Sequence, residues 1–120
     1  MRVSKNELNK SLKKEVINTF LQTLDDLKNK SEKETFLTDF FNQNELETYS
    51  KRLAIIYWLS KKRSYQNIKT NLKVSSATVA TVEKLMNKKG IELAITKMAA
   101  EEWANVWSEK IKRLGTRTRN

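Results

Sequence analysis

Apolar residues recur every three or four positions along most of the chain, which is the spacing of amphipathic helices. The longest such stripe predicts a first helix of about 25 residues, with Ser4 as its N-cap and Glu7 closing a capping box. Its apolar positions are Leu8, Leu12, Val16, Ile17, Phe20, Leu21, Leu24 and Leu27. A stripe of this length needs a long partner surface, which indicates packing against another subunit.

Two further helices are predicted before residue 64. Ser31 and Glu34 form a second capping box in front of a short helix with the apolar residues Phe36, Leu37, Phe40 and Phe41. Asn42 or Asn44 would cap the next helix. Its expected buried residues are Leu46, Tyr49, Leu53, Ile56, Tyr57 and Leu59. The basic residues 61–63 end this helix, where positive charge suits the helix dipole.

Residues 64–85 predict a helix-turn-helix. Ser64 would cap a helix that points Ile68 and Leu72 inward, and Lys73-Val74-Ser75 would form the turn, with Val74 filling the angle between the helices. Ser75 or Ser76 would cap the second helix, whose inward residues are Val79 and Val82. A lysine at 73 in place of the frequent turn glycine costs about 1 kcal/mol in a left-handed conformation, which is tolerable.

The outward face of the second helix carries small side chains, so that it could enter a major groove deeply. The candidate base-reading residues are Ser76, Ala77, Thr78, Ala80, Thr81 and Lys84. Thr78 has the alternative of facing the turn. Because this face offers no Arg or Asn for a bidentate contact, direct readout should be modest and partly mediated by water.

The last predicted helix covers residues 91–114, and Gly90 is expected just before it, at the C′ position of the preceding helix. Its inward residues would be Ile91, Ile95, Met98, Ala99, Val106, Ile111 and Leu114, and Trp103 and Trp107 would share a face. The basic tail 115–120 shows no pattern and is expected to be disordered. The chain has no proline and two glycines, which favours an all-α helical bundle, organised as a single domain over residues 1–120.

Positive charge is concentrated in one third of the chain. The net charge is +10, and residues 51–89 carry +9 of it, with Glu83 as their single acid. Such a segment suits a polyanion, although it could also be a solvated surface. The candidate DNA-phosphate contacts are Arg52, Lys61, Lys62, Arg63, Lys69, Lys73, Lys88 and Lys89.

Several function classes find no support in the sequence. Without cysteine or histidine the chain has no disulfide and lacks both the commonest metal ligand and the commonest general base, so that we expect no metal and no cofactor. No apolar run approaches the length of a membrane span, and the N-terminus lacks a signal peptide, which predicts a soluble cytoplasmic protein. The acid pairs 25–26 and 101–102 do not converge and no phosphate-binding glycine loop exists, so that we do not expect an enzyme.

Two stretches resemble the Trp repressor superfamily, and especially its Trp-repressor-related proteins. They are residues 44–53 and residues 65–82, within a match that covers roughly residues 37–98. The family also carries a lysine at the position of Lys69, and Ala77-Thr78-Val79 is similar to the start of its recognition helix.

The resemblance implies an interlocked homodimer, with residues 1–60 as dimerisation helices, that binds a palindromic operator and acts as a nucleoid-associated repressor. Of the two arginines that contact the corepressor in the family, one matches Arg52. The other, with the glycine after it, corresponds to Thr81-Val82. We therefore expect a filled pocket and no dependence on tryptophan.

Two other functions remain open. The protein could be a low-specificity architectural or replication-associated DNA-binding protein, which strong salt dependence with weak sequence preference would favour. It could also be a protein-interaction adaptor whose basic segment meets an acidic partner. Exposed aromatic residues at Tyr57, Trp58, Trp103 or Trp107 would favour the adaptor.

Overall fold

The computed structural model describes residues 6–100 and 110–112. Helices and connecting segments make up these residues, with no strand among them, as the all-α prediction requires. The helices are α1 (Lys10–Asp26), α2 (Lys30–Phe40), α3 (Gln43–Ser60), α4 (Tyr65–Leu72), α5 (Ser76–Glu83) and α6 (Lys89–Ala100). The predictions on Ser4, Trp103, Val106, Trp107, Leu114 and the tail 115–120 lie outside the described residues.

The chain divides into two compact units, Met1–Leu46 and Glu47–Asn120. The first unit holds α1, α2 and the start of α3, and the second holds the rest of α3 and the helices α4, α5 and α6. None of the helices in the described ranges has the length and apolarity that crossing a bilayer requires.

Asparagine side chains begin both helices of the first unit. The Asn9 side chain accepts hydrogen bonds from the N–H groups of Ser11 and Leu12, at 2.8 and 3.3 Å, and α1 is 17 residues long rather than 25. Asn29 caps α2 by accepting from the N–H of Glu32 at 2.9 Å. The capping box predicted at Ser31 is therefore wrong, because an equally good cap two residues earlier gives the helix an earlier start.

The first unit contains an aromatic cluster but no closed core, since none of residues 6–46 is buried. The Phe40 ring lies 5.1 Å from that of Phe36, 5.3 Å from that of Phe41 and 5.6 Å from that of Phe20, measured between centroids, yet it is 57 % exposed. Five residues of the N-terminal apolar stripe are 46–56 % exposed, namely Leu8, Leu12, Val16, Ile17 and Leu21.

The α3 helix begins with a reciprocal capping box. Asn42 accepts from the N–H of Glu45 at 2.8 Å, and the Glu45 carboxylate accepts from the N–H of Asn42 at 3.0 Å, which selects Asn42 over Asn44 as the cap. The second half of this helix is buried on all sides, at Ala54, Ile55, Ile56, Tyr57 and Trp58. Tyr49 and Leu53 are exposed, so that their predicted burial is wrong. An apolar stripe predicts burial on one face of a helix, whereas a helix that is surrounded by others buries consecutive residues.

The α4 and α5 helices pack on the same core through the four residues that the sequence predicts to point inward. Ile68, Leu72, Val79 and Val82 are buried, and Val74 packs against them from the turn. Ser64 caps α4 and Ser75 caps α5, each accepting at 3.1 Å from a backbone N–H three residues ahead. Lys73 ends α4 in the left-handed region, at φ 57°.

The α6 helix completes the core of the second unit. Met98 is buried, while Ile91, Ala94, Ile95 and Ile111 pack against the core. Gly90 lies inside the first turn of α6 without a positive φ, so that its predicted C′ position is wrong. The chain leaves α5 instead through overlapping turns, in which Leu85 and Met86 donate to the carbonyls of Val82 and Glu83. Ala99, predicted to point inward, is exposed.

Candidate nucleic-acid interface

The exposed face of α5 is made of small side chains. Of the six candidate base-reading residues, Ala80 is half-buried and the others are exposed, namely Ser76, Ala77, Thr78, Thr81 and Lys84. Helical spacing places Ala77, Thr81 and Lys84 opposite the buried Val79 and Val82. The centre of this face therefore points directly away from the core of the unit.

Two threonine hydroxyls on α5 have partners within the helix and its cap. The Thr81 hydroxyl donates to the carbonyl of Ala77 at 2.9 Å, and the Thr78 hydroxyl shares a 2.9 Å hydrogen bond with the hydroxyl of Ser75. A hydroxyl that donates in this way still accepts from another donor. Thr78 thus lies against the turn, which was the alternative placement expected for it.

A groove of about 500 Å³ runs between α3 and α5. Among the predicted site residues it brings together Arg52, Lys73, Ala77, Thr78 and Thr81. The α3 side of the groove also includes Thr48 and Lys51, which the sequence analysis does not select. Their signal was the spacing of residues 48, 51, 52 and 55, which places them on one side of a helix.

Thr81 and Val82, the two residues expected to fill the family's corepressor pocket, both line this groove. Val82 is only 4 % exposed and belongs to the hydrophobic core, so that it borders the groove without occupying it. On the other side, the Arg52 guanidinium lies 5.5 Å from the centroid of the Tyr49 ring, and Arg52 is exposed. The groove therefore combines cationic side chains with threonine hydroxyls.

The α3 helix ends in a Schellman motif. The N–H of Arg63 donates to the carbonyl of Trp58 at 3.1 Å, and the N–H of Lys62 donates to that of Leu59 at 3.0 Å. Lys62 takes the left-handed conformation, at φ 64°, that this motif requires. The sequence carried no signal for it, because glycine is the usual residue at this position.

Aromatic rings hold two of the three cations at this helix end. The Lys61 ammonium lies 5.4 Å from the centroid of the Tyr57 ring, and the Arg63 guanidinium lies 4.9 Å from that of Trp58. Arg63 also donates to the side-chain oxygen of Asn67 on α4, at 3.3 Å. Residues 61–63, which we call the basic cluster, thus have a defined arrangement beside α4, and they do not line the groove.

The model of the Trp repressor protein family matches residues 15–97, which is more than half of the chain. The chain belongs to the Trp repressor family. This is a family of DNA-binding helical regulators and not of enzymes. No curated protein and no solved structure matches the chain significantly.

In this member of the Trp repressor family, the remaining candidate phosphate contacts lie outside the groove. Lys69 is half-buried on α4, whereas Lys88 and Lys89 are exposed at the start of α6. The structure therefore brings Arg52 and Lys73 together with α5, and it distributes the other candidate cations over three separate places.

One hydrogen bond of the second unit joins α4 to α5 through side chains. The Tyr65 hydroxyl donates to the carboxylate of Glu83. This bond, with smaller contributions from partial burial and from the charge of Glu83, raises the pKa of the Tyr65 phenol above its usual value of 10.0. In the sequence Glu83 stands out only as the single acid of the basic segment, and no local pattern pairs it with Tyr65.

Proposed function

We propose that this member of the Trp repressor family is a sequence-specific regulator that binds double-stranded DNA. In this proposal it is a cytoplasmic, nucleoid-associated repressor that blocks a promoter by occupying a palindromic operator as a homodimer. The observation that carries the proposal is the exposed face of α5, whose small side chains lie beside a groove bordered by cations.

Base recognition would come from the α5 face. Ala77 and Ala80 let the helix backbone approach the base edges closely, and their methyl groups suit the methyl group of thymine. The Thr81 hydroxyl can accept a hydrogen bond while it donates to the Ala77 carbonyl. Lys84, at the end of the same face, is long enough to reach the acceptors of a guanine.

Phosphate contacts would come from the cations around that face. Arg52 and Lys73 border the groove, and the basic cluster lies at the junction of α3 and α4. Because rings hold Lys61 and Arg63, less conformational entropy is lost when they bind a phosphate. These contacts fix the position of the protein on the duplex without selecting its sequence.

A second copy of the chain would cover the apolar stripe of α1. In the described part of the first unit no residue is buried, and the exposed stripe extends from Leu8 to Leu21. Contiguous apolar surface of this kind marks an interaction site. A two-fold dimer would present two α5 helices to half-sites about one helical turn apart, which a palindromic operator matches.

Tryptophan is not needed in this proposal. The groove has Arg52 and Lys51 on one side, but Thr81 and Val82 lie where the resemblance places the family's second arginine and its glycine. We expect titration calorimetry with tryptophan to give no binding at micromolar concentrations. Tight binding would contradict this part of the proposal and leave the DNA-binding part intact.

A low-specificity architectural role is the second candidate, and one observation favours it. The α5 face lacks Arg, Asn and Gln, which make the bidentate contacts that discriminate bases most strongly. The adaptor hypothesis loses two of its four candidate aromatic residues, because Tyr57 and Trp58 are buried, and the other two lie outside the described residues.

The deciding experiment is the selection of bound DNA from a random duplex library at two salt concentrations. A two-fold symmetric motif that persists at the higher salt supports the operator-binding homodimer. Binding that weakens steeply with salt and yields no motif supports the architectural role. The absence of binding at low salt would contradict both DNA-binding roles.

Three variants separate base recognition from phosphate contact. Ala77→Leu adds bulk at the centre of the α5 face and should abolish selection of the motif, whereas Ala99→Leu adds the same bulk at an exposed position on α6 and should not. Lys62→Gln should weaken binding to all duplexes and reduce the salt slope by about one. Equal effects of the two alanine variants would exclude α5 as the base-reading helix.

A further inference from the structure

The α4 and α5 helices are connected at both of their ends. At one end the turn Lys73-Val74-Ser75 joins them covalently. At the other end Tyr65, the first residue of α4, donates its hydroxyl to Glu83, the last residue of α5. Without a further bond, packing alone would hold the end of α5 that lies away from this turn against α4. The bond between Tyr65 and Glu83 therefore fixes the two helices to each other at a second place.

The chemistry of this bond suits a fixed geometry. The Tyr65 ring packs against the core, so that the position of its hydroxyl is defined from the α4 side. Its acceptor is a carboxylate, and hydrogen bonds to ionised groups are shorter and stronger than those between neutral groups. The phenol, whose pKa the bond raises above its usual value of 10.0, is protonated and therefore a donor throughout the neutral range.

The position of Glu83 gives the bond a second consequence. Glu83 is the only acid among residues 51–89, and it is exposed at the end of α5, the helix that would enter the major groove of DNA. A carboxylate at this place would repel phosphates if it turned toward them. The bond to Tyr65 directs it toward α4 instead.

We propose that Tyr65 and Glu83 are positioning residues for DNA recognition, which set the orientation of α5 relative to α4 without contacting bases. This proposal rests on the proposed function. Apart from Lys84 at its end, the reading face of α5 carries only the short side chains of Ser, Ala and Thr, which cannot adapt to a changed tilt. A change in the orientation of the helix should therefore reduce its preference for particular base sequences more than it reduces its general attraction to phosphates.

The test compares the affinities of variants for the selected operator and for an unrelated duplex of equal length. Tyr65→Phe removes only the hydroxyl, and we expect about tenfold weaker operator binding with less than twofold change on the unrelated duplex. Glu83→Gln keeps an oxygen that accepts from Tyr65 and removes the charge. It should retain the preference for the operator and bind both duplexes more tightly.

Two controls separate positioning from charge and from stability. Glu92→Gln removes an equal charge on α6 and should leave the preference for the operator unchanged. Thermal unfolding should show that Tyr65→Phe is still folded at the assay temperature, and amide hydrogen exchange should be faster in its α5 helix. The double variant with Tyr65→Phe and Glu83→Ala should lower the ratio of operator to unrelated affinity no more than the more damaging single variant does, since both substitutions remove the same hydrogen bond.

An unchanged ratio of operator to unrelated affinity in Tyr65→Phe would overturn the positioning role, and the proposed function would stand. A lowered unfolding temperature with that ratio unchanged would overturn it equally, because the bond would then serve stability alone. If the wild-type protein selects no motif, the proposed function itself fails, and the positioning role fails with it.

Discussion

The two units of the chain bury their apolar side chains to very different extents. In the second unit, α3, α4, α5 and α6 surround a core that includes Ile55, Ile68 and Val79, each 0 % exposed. In residues 6–46, helices of similar length carry caps and an aromatic cluster, but no side chain is buried. Local signals thus define helices in both units, whereas only one of them encloses a core.

This difference indicates what each unit needs in order to be stable. Ordering a residue costs about 1–2 kcal/mol of backbone entropy, and burial of apolar surface is the main term that offsets it. The second unit gains this favourable burial of apolar surface from its own residues. The first unit lacks it in its described part, which is why we propose that a second chain supplies it.

The largest effect is expected from a cavity in the core of the second unit. Ile68→Ala should lower the free energy of unfolding by about 2–5 kcal/mol, because the side chain is fully buried. Denaturant unfolding measures the change. Leu93→Ala, at a 60 % exposed position on α6, is the control and should have an effect below about 0.5 kcal/mol. Equal losses in the two variants would contradict the assignment of the core.

The next effect should appear in the first unit as a loss of association. Leu21→Asp places a charge in the exposed stripe of α1 and should weaken dimerisation by about 3 kcal/mol, or roughly a hundredfold. Sedimentation equilibrium measures it. Asn18→Asp adds the same charge at an exposed polar position of the same helix and should have little effect. A wild-type protein that stays monomeric at high concentration would remove the proposed explanation for the stripe.

A smaller effect of opposite sign is expected at the turn between α4 and α5. Lys73 is left-handed, at φ 57°, so that Lys73→Gly should stabilise the second unit by about 0.5 kcal/mol. Lys84 follows α5 with right-handed geometry, and Lys84→Gly should destabilise it by about 0.5–1 kcal/mol. Thermal unfolding of both variants measures the changes in stability. Each substitution removes one positive charge, and high salt screens the effect of that loss. If both variants were stabilised, or both destabilised, backbone conformation would not be what decides the change in stability.

The smallest effect should come from pH. The folded protein holds the pKa of Tyr65 above its usual value of 10.0, mainly through the bond to Glu83. The bond therefore stabilises the second unit below about pH 10 and is lost as the pH rises through the raised pKa. The stability difference between wild type and Tyr65→Phe should be constant near neutral pH and shrink above pH 10. A difference that grows at alkaline pH would contradict the bond.

Helix ends and burial differ from the sequence-based predictions where competing caps or distant packing decide the outcome. Ser31 and Gly90 carried valid local signals, but Asn29 supplied an earlier cap and overlapping turns ended α5 before Gly90. Tyr49 and Leu53 followed the apolar stripe of α3, yet the core surrounds this helix only from Ala54 onward. A stripe indicates which residues share a face, and it does not indicate how far along the helix that face is covered.

The candidate site was predictable only in part, because helical spacing indicates which residues share a face and does not indicate how closely two helices approach. The outward face of α5 follows from helical spacing once Val79 and Val82 are taken as buried, and five of its six predicted residues are exposed. Lys51 was missed because its role depends on how closely α3 approaches α5. The bond between Tyr65 and Glu83 was missed because it joins residues 18 positions apart in the chain.

The sequence by itself determined the helical class, the Ser64 cap, the turn at Lys73 and the four inward residues of α4 and α5, and it limited the cap of α5 to Ser75 or Ser76. These features depend on neighbours within about one helical turn, so that local hydrogen bonding and periodicity suffice to define them. Tertiary structure alone decided the groove between α3 and α5, the rings beneath Lys61 and Arg63, and the connection between the far ends of α4 and α5. Each of these depends on the relative placement of whole helices, which only the packing of the shared core determines.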